Sequence, residues 1–289
     1  METMKKIPVR QIRTAQAIDH TGKFNIRSLE SVLNGNDLLH ELHRHDFFFI
    51  LALQLGDGIH EIDFQKYLLC DNCIFILRPG QVHQLELKAN CTGYLVEFDS
   101  SFYQAKDKIS SDRLKKATYN SFCRLDSNRN RRLIAVLRSI FDEFTEKAEG
   151  YREAIHSHLD IFFIELLRQS TSGSKITEGS SGYVQERFEE FMGLLETNSA
   201  TLKNVSQYAD MMNLSPYQLN AITKTSVGKT SSELIVDQLI LESKRYLLAT
   251  PNQVKDIAYH LGYEDVSYFI RFFKKHTGYS PATFRENFK

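Results

Sequence analysis

"NQVKDIAYHLGYEDVSYFIRFFKKHTGYSPATFR", residues 252–285, carries the pattern of a short helix, a glycine turn and a second helix, which is a helix-turn-helix unit. Val254, Ile257, Ala258 and Leu261 make an apolar stripe on the first helix, with small Ala258 where the second helix has to approach. Gly262 ends that helix, Tyr263 plugs the turn, and Asp265 is placed to cap the helix that follows. At 100° per residue, Val266, Phe269, Phe272, Phe273 and His276 fall on one side of the second helix. Ser267, Ile270, Arg271 and Lys274 fall on the other. The first side builds a core, and the second is a candidate face for a DNA major groove. Ser280 and Pro281 then supply a cap and a first-turn proline for one more helix.

A diverged copy lies upstream. In "LKNVSQYADMMNLSPYQLNAITKTSVGKT", Ala209, Leu214, Leu219, Lys224 and Gly228 match Ala258, Tyr263, Phe269, Lys274 and Gly278. The offset is 49 residues before the turn and 50 after it, so the second turn is one residue longer. The same wheel turns Pro216, Leu219, Ile222 and Thr223 inward, and Tyr217, Asn220, Ala221 and Lys224 outward. Between the copies, "TSSELIVDQLILESKRYLLAT" reads as one helix opened by a Thr230–Glu233 capping box. Such a rod is about 27 Å long, so it can hold two recognition helices about one turn of DNA apart, near 34 Å.

These residues resemble the AraC/XylS family of transcription regulators, whose DNA-binding domain is two helix-turn-helix units joined by a linker helix. The resemblance spans residues 183–289 and is densest over "IAYHLGYEDVSYFIRFFKKHTGYSPATFR". In the first unit, Ala221 and Thr223 stand in the stretch where the family usually carries an aromatic and often a basic residue. The resemblance implies binding to double-stranded DNA, with Tyr217, Asn220, Lys224, Ser267, Ile270, Arg271 and Lys274 as candidate contacts. From Thr201 onward 11 basic residues face 8 acidic ones. That small excess suits placed contacts more than a strong general field.

The rest of the chain changes texture twice. At 289 residues it is long enough for two domains, and its 36 basic and 36 acidic residues balance. Residues 46–98 are short strand-like runs broken by "GDG", "DN" and "RPGQ", the pattern of a β-barrel or sandwich. From about Ser110 the period becomes helical. Leu133, Leu137, Ile140 and Phe144, then Ile155, Leu159, Phe162 and Leu166, form two seams around a turn at Glu149–Gly150. These seams either cap the barrel or pair with a second copy, and the expectation favours a homodimer. "STSGSKITEGSSG", residues 170–182, has almost nothing to bury and reads as a flexible linker. The amino terminus lacks the apolar core of a secretion signal, and no run is long enough for a membrane span. A soluble, cytoplasmic protein is expected, with its four cysteines as thiols and "CDNC", residues 70–73, as a hairpin turn.

"LHELHRHDFFFI", residues 39–50, places His40, His43 and His45 ahead of an apolar run, and His83 follows "RPGQ". Together they look like the cupin-type sensor barrel that precedes the double motif in many family members. Metal-binding cupins use a His-x-His pair, a carboxylate a few residues on, and a further histidine after a Pro-Gly turn. His43, His45 and His83 fit three of those places, and Phe48, Phe49 and Ile50 occupy the region of the carboxylate. Three histidines are chemically open to Zn²⁺ or Fe²⁺. Without the carboxylate, the expectation is that they bind a small-molecule effector or line the barrel mouth, with no metal and no cofactor.

The expected fold class is therefore α+β in two domains. Residues 1–169 form a cupin-like β-barrel with a helical hairpin, 170–182 a linker, and 183–289 an all-α double helix-turn-helix domain. The expected function is a sequence-specific, effector-responsive transcription regulator, not an enzyme, with RNA polymerase as a candidate partner. The competing reading is a cupin metalloenzyme whose helical domain serves interaction.

Overall fold

The computed structural model describes residues 9–10, 23–99, 101–103, 108–118, 120–170 and 181–288. They fall into two compact units. Residues 171–180 of the expected linker lie outside the described residues, whereas Ser170 closes one helix and Ser181 and Gly182 open the next.

The amino-terminal unit comprises β1 (Val9–Arg10), β2 (Phe24–Ser28), α1 (Leu29–Leu33), β3 (Leu38–His45), β4 (Phe48–Leu55), β5 (Gly58–Ile62) and β6 (Gln65–Leu68). It continues through β7 (Cys73–Leu77), β8 (Val82–Leu87), β9 (Thr92–Phe98), α2 (Lys108–Ala117), β10 (Phe122–Arg124), α3 (Ser127–Glu146) and α4 (Tyr151–Ser170). The strands form two five-stranded sheets, an outer one ordered β1-β3-β8-β5-β6 and a middle one ordered β10-β7-β4-β9-β2. The closed barrel is thus corrected to an open sandwich, because among the described residues strand pairing does not join the edges of one sheet to those of the other.

The middle sheet is covered on both faces. Phe49, Leu51 and Leu53 of β4, Phe75 of β7 and Leu95 of β9 pack with Leu85 and Leu87 of the outer sheet. Their neighbours Ile50, Ala52, Ile74, Ile76, Tyr94 and Val96 pack against α3 and α4. A strand buried on both sides needs apolar residues at every position, which is why β4 and β7 read as the unbroken runs "FFILAL" and "CIFIL". The outer sheet has one exposed face, and Leu39, Ile59 and Leu68 are open on it.

The hairpin forms where the seams indicated, with Gly150 left-handed at φ +78° in the turn. Its seams do not wait for a second copy. Leu133, Leu137, Ile140, Ile155, Leu159 and Phe162 are all buried within one chain against the middle sheet. The alternative in which they cap the sheet is the one realised, and the seams supply no argument for a dimer. Asn130 on α3 is buried and donates to the Leu53 carbonyl (3.3 Å) and to Asn72 Oδ1 (2.8 Å), pinning the helix to the β6–β7 turn. In that turn Asn72 is left-handed, and Cys70 and Cys73 lie 5.8 Å apart at Cα, joined by a disulfide. The two thiols expected from the sequence are corrected accordingly, since the tight turn brings them to the ordinary span of a cystine.

The carboxyl-terminal unit is helical throughout: α5 (Ser181–Asn198), α6 (Val205–Met211), α7 (Pro216–Val227), α8 (Ser231–Ala249), α9 (Val254–His260), α10 (Val266–Thr277) and α11 (Pro281–Phe288). The helix ends follow the predicted chemistry. Asp265 accepts from the Ser267 N–H (2.7 Å), Ser280 from Thr283 (3.1 Å), and Thr230 and Glu233 form the reciprocal box that opens α8. Gly228, Gly262 and Gly278 are left-handed after α7, α9 and α10. Among the described residues no helix is long and apolar enough to cross a membrane.

Candidate nucleic-acid interface and buried histidine cluster

Helices α6–α7 and α9–α10 form the two helix-turn-helix units. Ala209 and Ala258 are fully buried where the paired helices meet. The α6–α7 turn runs from residue 212 to 215 and the α9–α10 turn from 261 to 265, so the second is one residue longer. Between them α8 has 19 residues, about 28 Å of rigid rod. Lys203 ties the first unit to the second turn by donating to the Ala200 (3.0 Å) and Leu261 (2.7 Å) carbonyls, with its ammonium 4.9 Å from the Tyr263 ring centre.

On α10, Phe269 and Phe273 are fully buried, while Ser267, Ile270, Arg271 and Lys274 are exposed. His276, assigned inward from the wheel, is exposed instead. Arg271 lies 3.8 Å from Asp265, a solvent-exposed pair worth about 0–1 kcal/mol and therefore easily exchanged for another partner. On α7, Leu219, Ile222 and Thr223 are buried and Tyr217 and Lys224 exposed, but Pro216 also faces out. Asn220 is half-buried, and its Oδ1 accepts from the Ser231 N–H at 2.9 Å. Its oxygen therefore helps to join α7 to α8. Sequence periodicity, which supplies only an angle around α7, could not have shown that bond.

In the amino-terminal unit the histidines converge. His43 and His83 are 0 % exposed and His45 is 4 %. Residues 43 and 83 face each other across β3 and β8. His45 Nε2 lies 2.7 Å from His83 Nε2, and His43 Nδ1 lies 2.6 Å from the Glu41 carbonyl oxygen. A carbonyl only accepts, so His43 donates from Nδ1. Sequence reading missed a fourth member: His60 on β5 is 0 % exposed, with Nε2 2.8 Å from His83 Nδ1. Its place two residues before the inward-facing Ile62 was the available signal. His40 meets His43 edge-on, with ring centres 5.6 Å apart. Burial lowers the pKa of His60 to about 3 and that of His83 well below the usual imidazole range, with neighbouring imidazoles adding to both effects. Both rings are neutral at physiological pH.

A sandwich carrying an inward histidine cluster, followed by a paired helix-turn-helix reader, defines a two-domain DNA-binding regulator. Residues 33–163 match the AraC-like ligand binding domain and residues 208–287 a helix-turn-helix domain. The chain belongs to the AraC family of transcriptional regulators. It is 25% identical over 250 residues to the HTH-type transcriptional activator RhaS of Citrobacter koseri, covering 84% of this chain and 87% of that one. It is 23% identical over 247 residues to RhaS of Enterobacter sp. strain 638, with the same coverage. Among solved structures, fatty-acid-bound ToxT of Vibrio cholerae aligns over 96% of both chains, at 16% identity and a TM-score of 0.41.

Proposed function

We propose that α7 and α10 enter two successive major grooves of double-stranded DNA, and that the amino-terminal domain controls this reader through a small ligand taken at His43, His45 and His83. The domain limits of this reading are 1–169 for the sensor, 170–182 for the linker and 183–289 for the reader. It places the protein in the cytoplasm, acting on transcription through RNA polymerase. A homodimer is part of this reading because the sensor barrel that these residues resemble helps family members to dimerise.

The observation that carries the DNA assignment is the division of α10, with Phe269 and Phe273 fully buried and Arg271 and Lys274 exposed. Arginine can donate two hydrogen bonds to the O6 and N7 of guanine, and Arg271 sits near the middle of the outward face. Lys274, one turn nearer the carboxyl end, is placed for a phosphate. Arg271→Ala is expected to lose about 1–3 kcal/mol on the cognate site and to relax preference at one base pair. Lys274→Ala is expected to weaken all sequences alike and to shallow the salt dependence by about one unit of slope. Binding to a library of single-substitution operators at two salt concentrations measures both. Unchanged base preference in Arg271→Ala would remove Arg271 from the reading face.

A further inference from the structure

We infer that Lys203 is the positioning residue that locks the angle between the two helix-turn-helix units, so that the reader accepts one spacing between its two half-sites on DNA. This inference rests on the two-groove reading above and names what fixes its register.

A rod between two recognition helices settles their separation more firmly than their relative rotation. At the start of α8 the first unit is fastened by Asn220 Oδ1, which accepts from the Ser231 N–H (2.9 Å). At its end the second unit is fastened by Arg285, which donates to the Leu247 (2.8 Å) and Asn252 (2.7 Å) carbonyls. Each unit thus sits on its own end of the rod. Small rotations at the two joints add up at the recognition helices unless the units also meet away from α8.

Lys203 and Phe272 make that meeting. Phe272 of α10 packs against the core cluster that contains Phe191, Leu195 and Tyr208 of the first unit, but an apolar contact lets its partners slide. Lys203 is directional. From the loop between α5 and α6 it donates to the Ala200 carbonyl of its own loop (3.0 Å) and to the Leu261 carbonyl (2.7 Å), with its ammonium 4.9 Å from the Tyr263 ring centre. Leu261 is the last residue of α9 before the turn, where carbonyls lack intrahelical partners and the helix dipole favours a cation. Holding that carbonyl holds the short turn that leads to the Asp265 cap of α10. Burial draws the pKa of Lys203 below the ordinary lysine value, as befits an ammonium that has exchanged water for protein partners.

About 10–10.5 base pairs make one turn of DNA of about 34–36 Å. One inserted base pair therefore turns the second groove by roughly 35° and shifts it by roughly 3.4 Å. A locked reader cannot follow it. A reader released at Lys203 follows by rotating at its joints, and gives up preorganisation on the native site in exchange.

The test uses the full chain and a double-stranded operator that it selects from a random-sequence pool. The operator is remade with one base pair inserted or deleted between the half-sites, and with either half-site scrambled. For the unsubstituted chain, either spacing change is expected to cost about 100-fold in affinity. Lys203→Met keeps the apolar stem and removes the donors. It is expected to lose about 10-fold on the native spacing and to reduce the penalty for either spacing change below about 10-fold. Its salt slope and its binding to a single half-site should match the unsubstituted chain. Lys203→Ala repeats the measurement where Lys203→Met does not fold. An unaltered spacing profile would overturn the inference, as would a salt slope shallower by about one unit, which would make Lys203 a phosphate contact instead. An unsubstituted chain indifferent to spacing and to scrambling of either half-site defeats the two-groove reading itself, and the inference with it. A spacing-sensitive chain that the Lys203 variants leave unchanged defeats only the role of Lys203.

Discussion

Phe162→Ala will strip about 3–5 kcal/mol from the amino-terminal domain. Phe162 is 0 % exposed in the cluster that joins α4 to the middle sheet, packed edge-on against Phe163 at 5.4 Å. Truncating it opens a void that the sheet, packed on its other face, cannot fill by moving. The neighbouring Ile161 is 43 % exposed, and Ile161→Ala should stay within about 0.5 kcal/mol. Calorimetric melting at two protein concentrations distinguishes the origin of the loss. The same cost at both concentrations is expected, because the partners of Phe162 lie in its own chain. A cost that shrank on concentrating the protein would hand the hairpin seams back to a dimer interface.

In the reader, Gly262→Ala is the most damaging small substitution, at roughly 3 kcal/mol or more. Gly262 sits at φ +73°, where a side chain costs about 1–2 kcal/mol, and an added Cβ would come 1.9 Å from the Ala200 carbonyl oxygen and 2.8 Å from Lys203 Nζ. The segment that Lys203 uses to hold the second turn would have to move. Gly278→Ala is the comparison, since Gly278 is also left-handed but its Cβ would meet nothing within 4 Å; only the backbone term applies there. Denaturant unfolding and operator affinity of the two variants give the answer. Equal losses would show that the close approach at Ala200 carries no weight.

The reader was legible in the sequence because its signals are local. Caps at Asp265, Ser280 and Thr230, the helix stop at Gly262 and the buried faces of both recognition helices depend on residues a few positions apart. What required the structure was non-local. The hairpin seams gave the apolar face of each helix, but periodicity does not say what covers a face, and the middle sheet turned out to cover both. Closure of the barrel depends on which strands pair at the edges, and a strand's own alternation carries nothing about that. The histidine cluster was three-quarters visible. His43, His45 and His83 came from the resemblance to the cupin histidine pattern, whereas His60 lies on a different strand and joins the others through β5–β8 pairing.

The middle sheet also divides the domain by how its backbone amides meet deuterium. Strands β4, β7 and β9 are paired on both edges and roofed on both faces, so their N–H groups exchange only when the whole domain opens, at rates set by its global stability. Among the described residues strand β6 ends the outer sheet with one edge unpaired and a solvent-facing side, and fraying there releases its amides without disturbing the rest. One labelling experiment thus separates an event that loosens the rim of the sandwich from one that lifts the helical hairpin off the sheet.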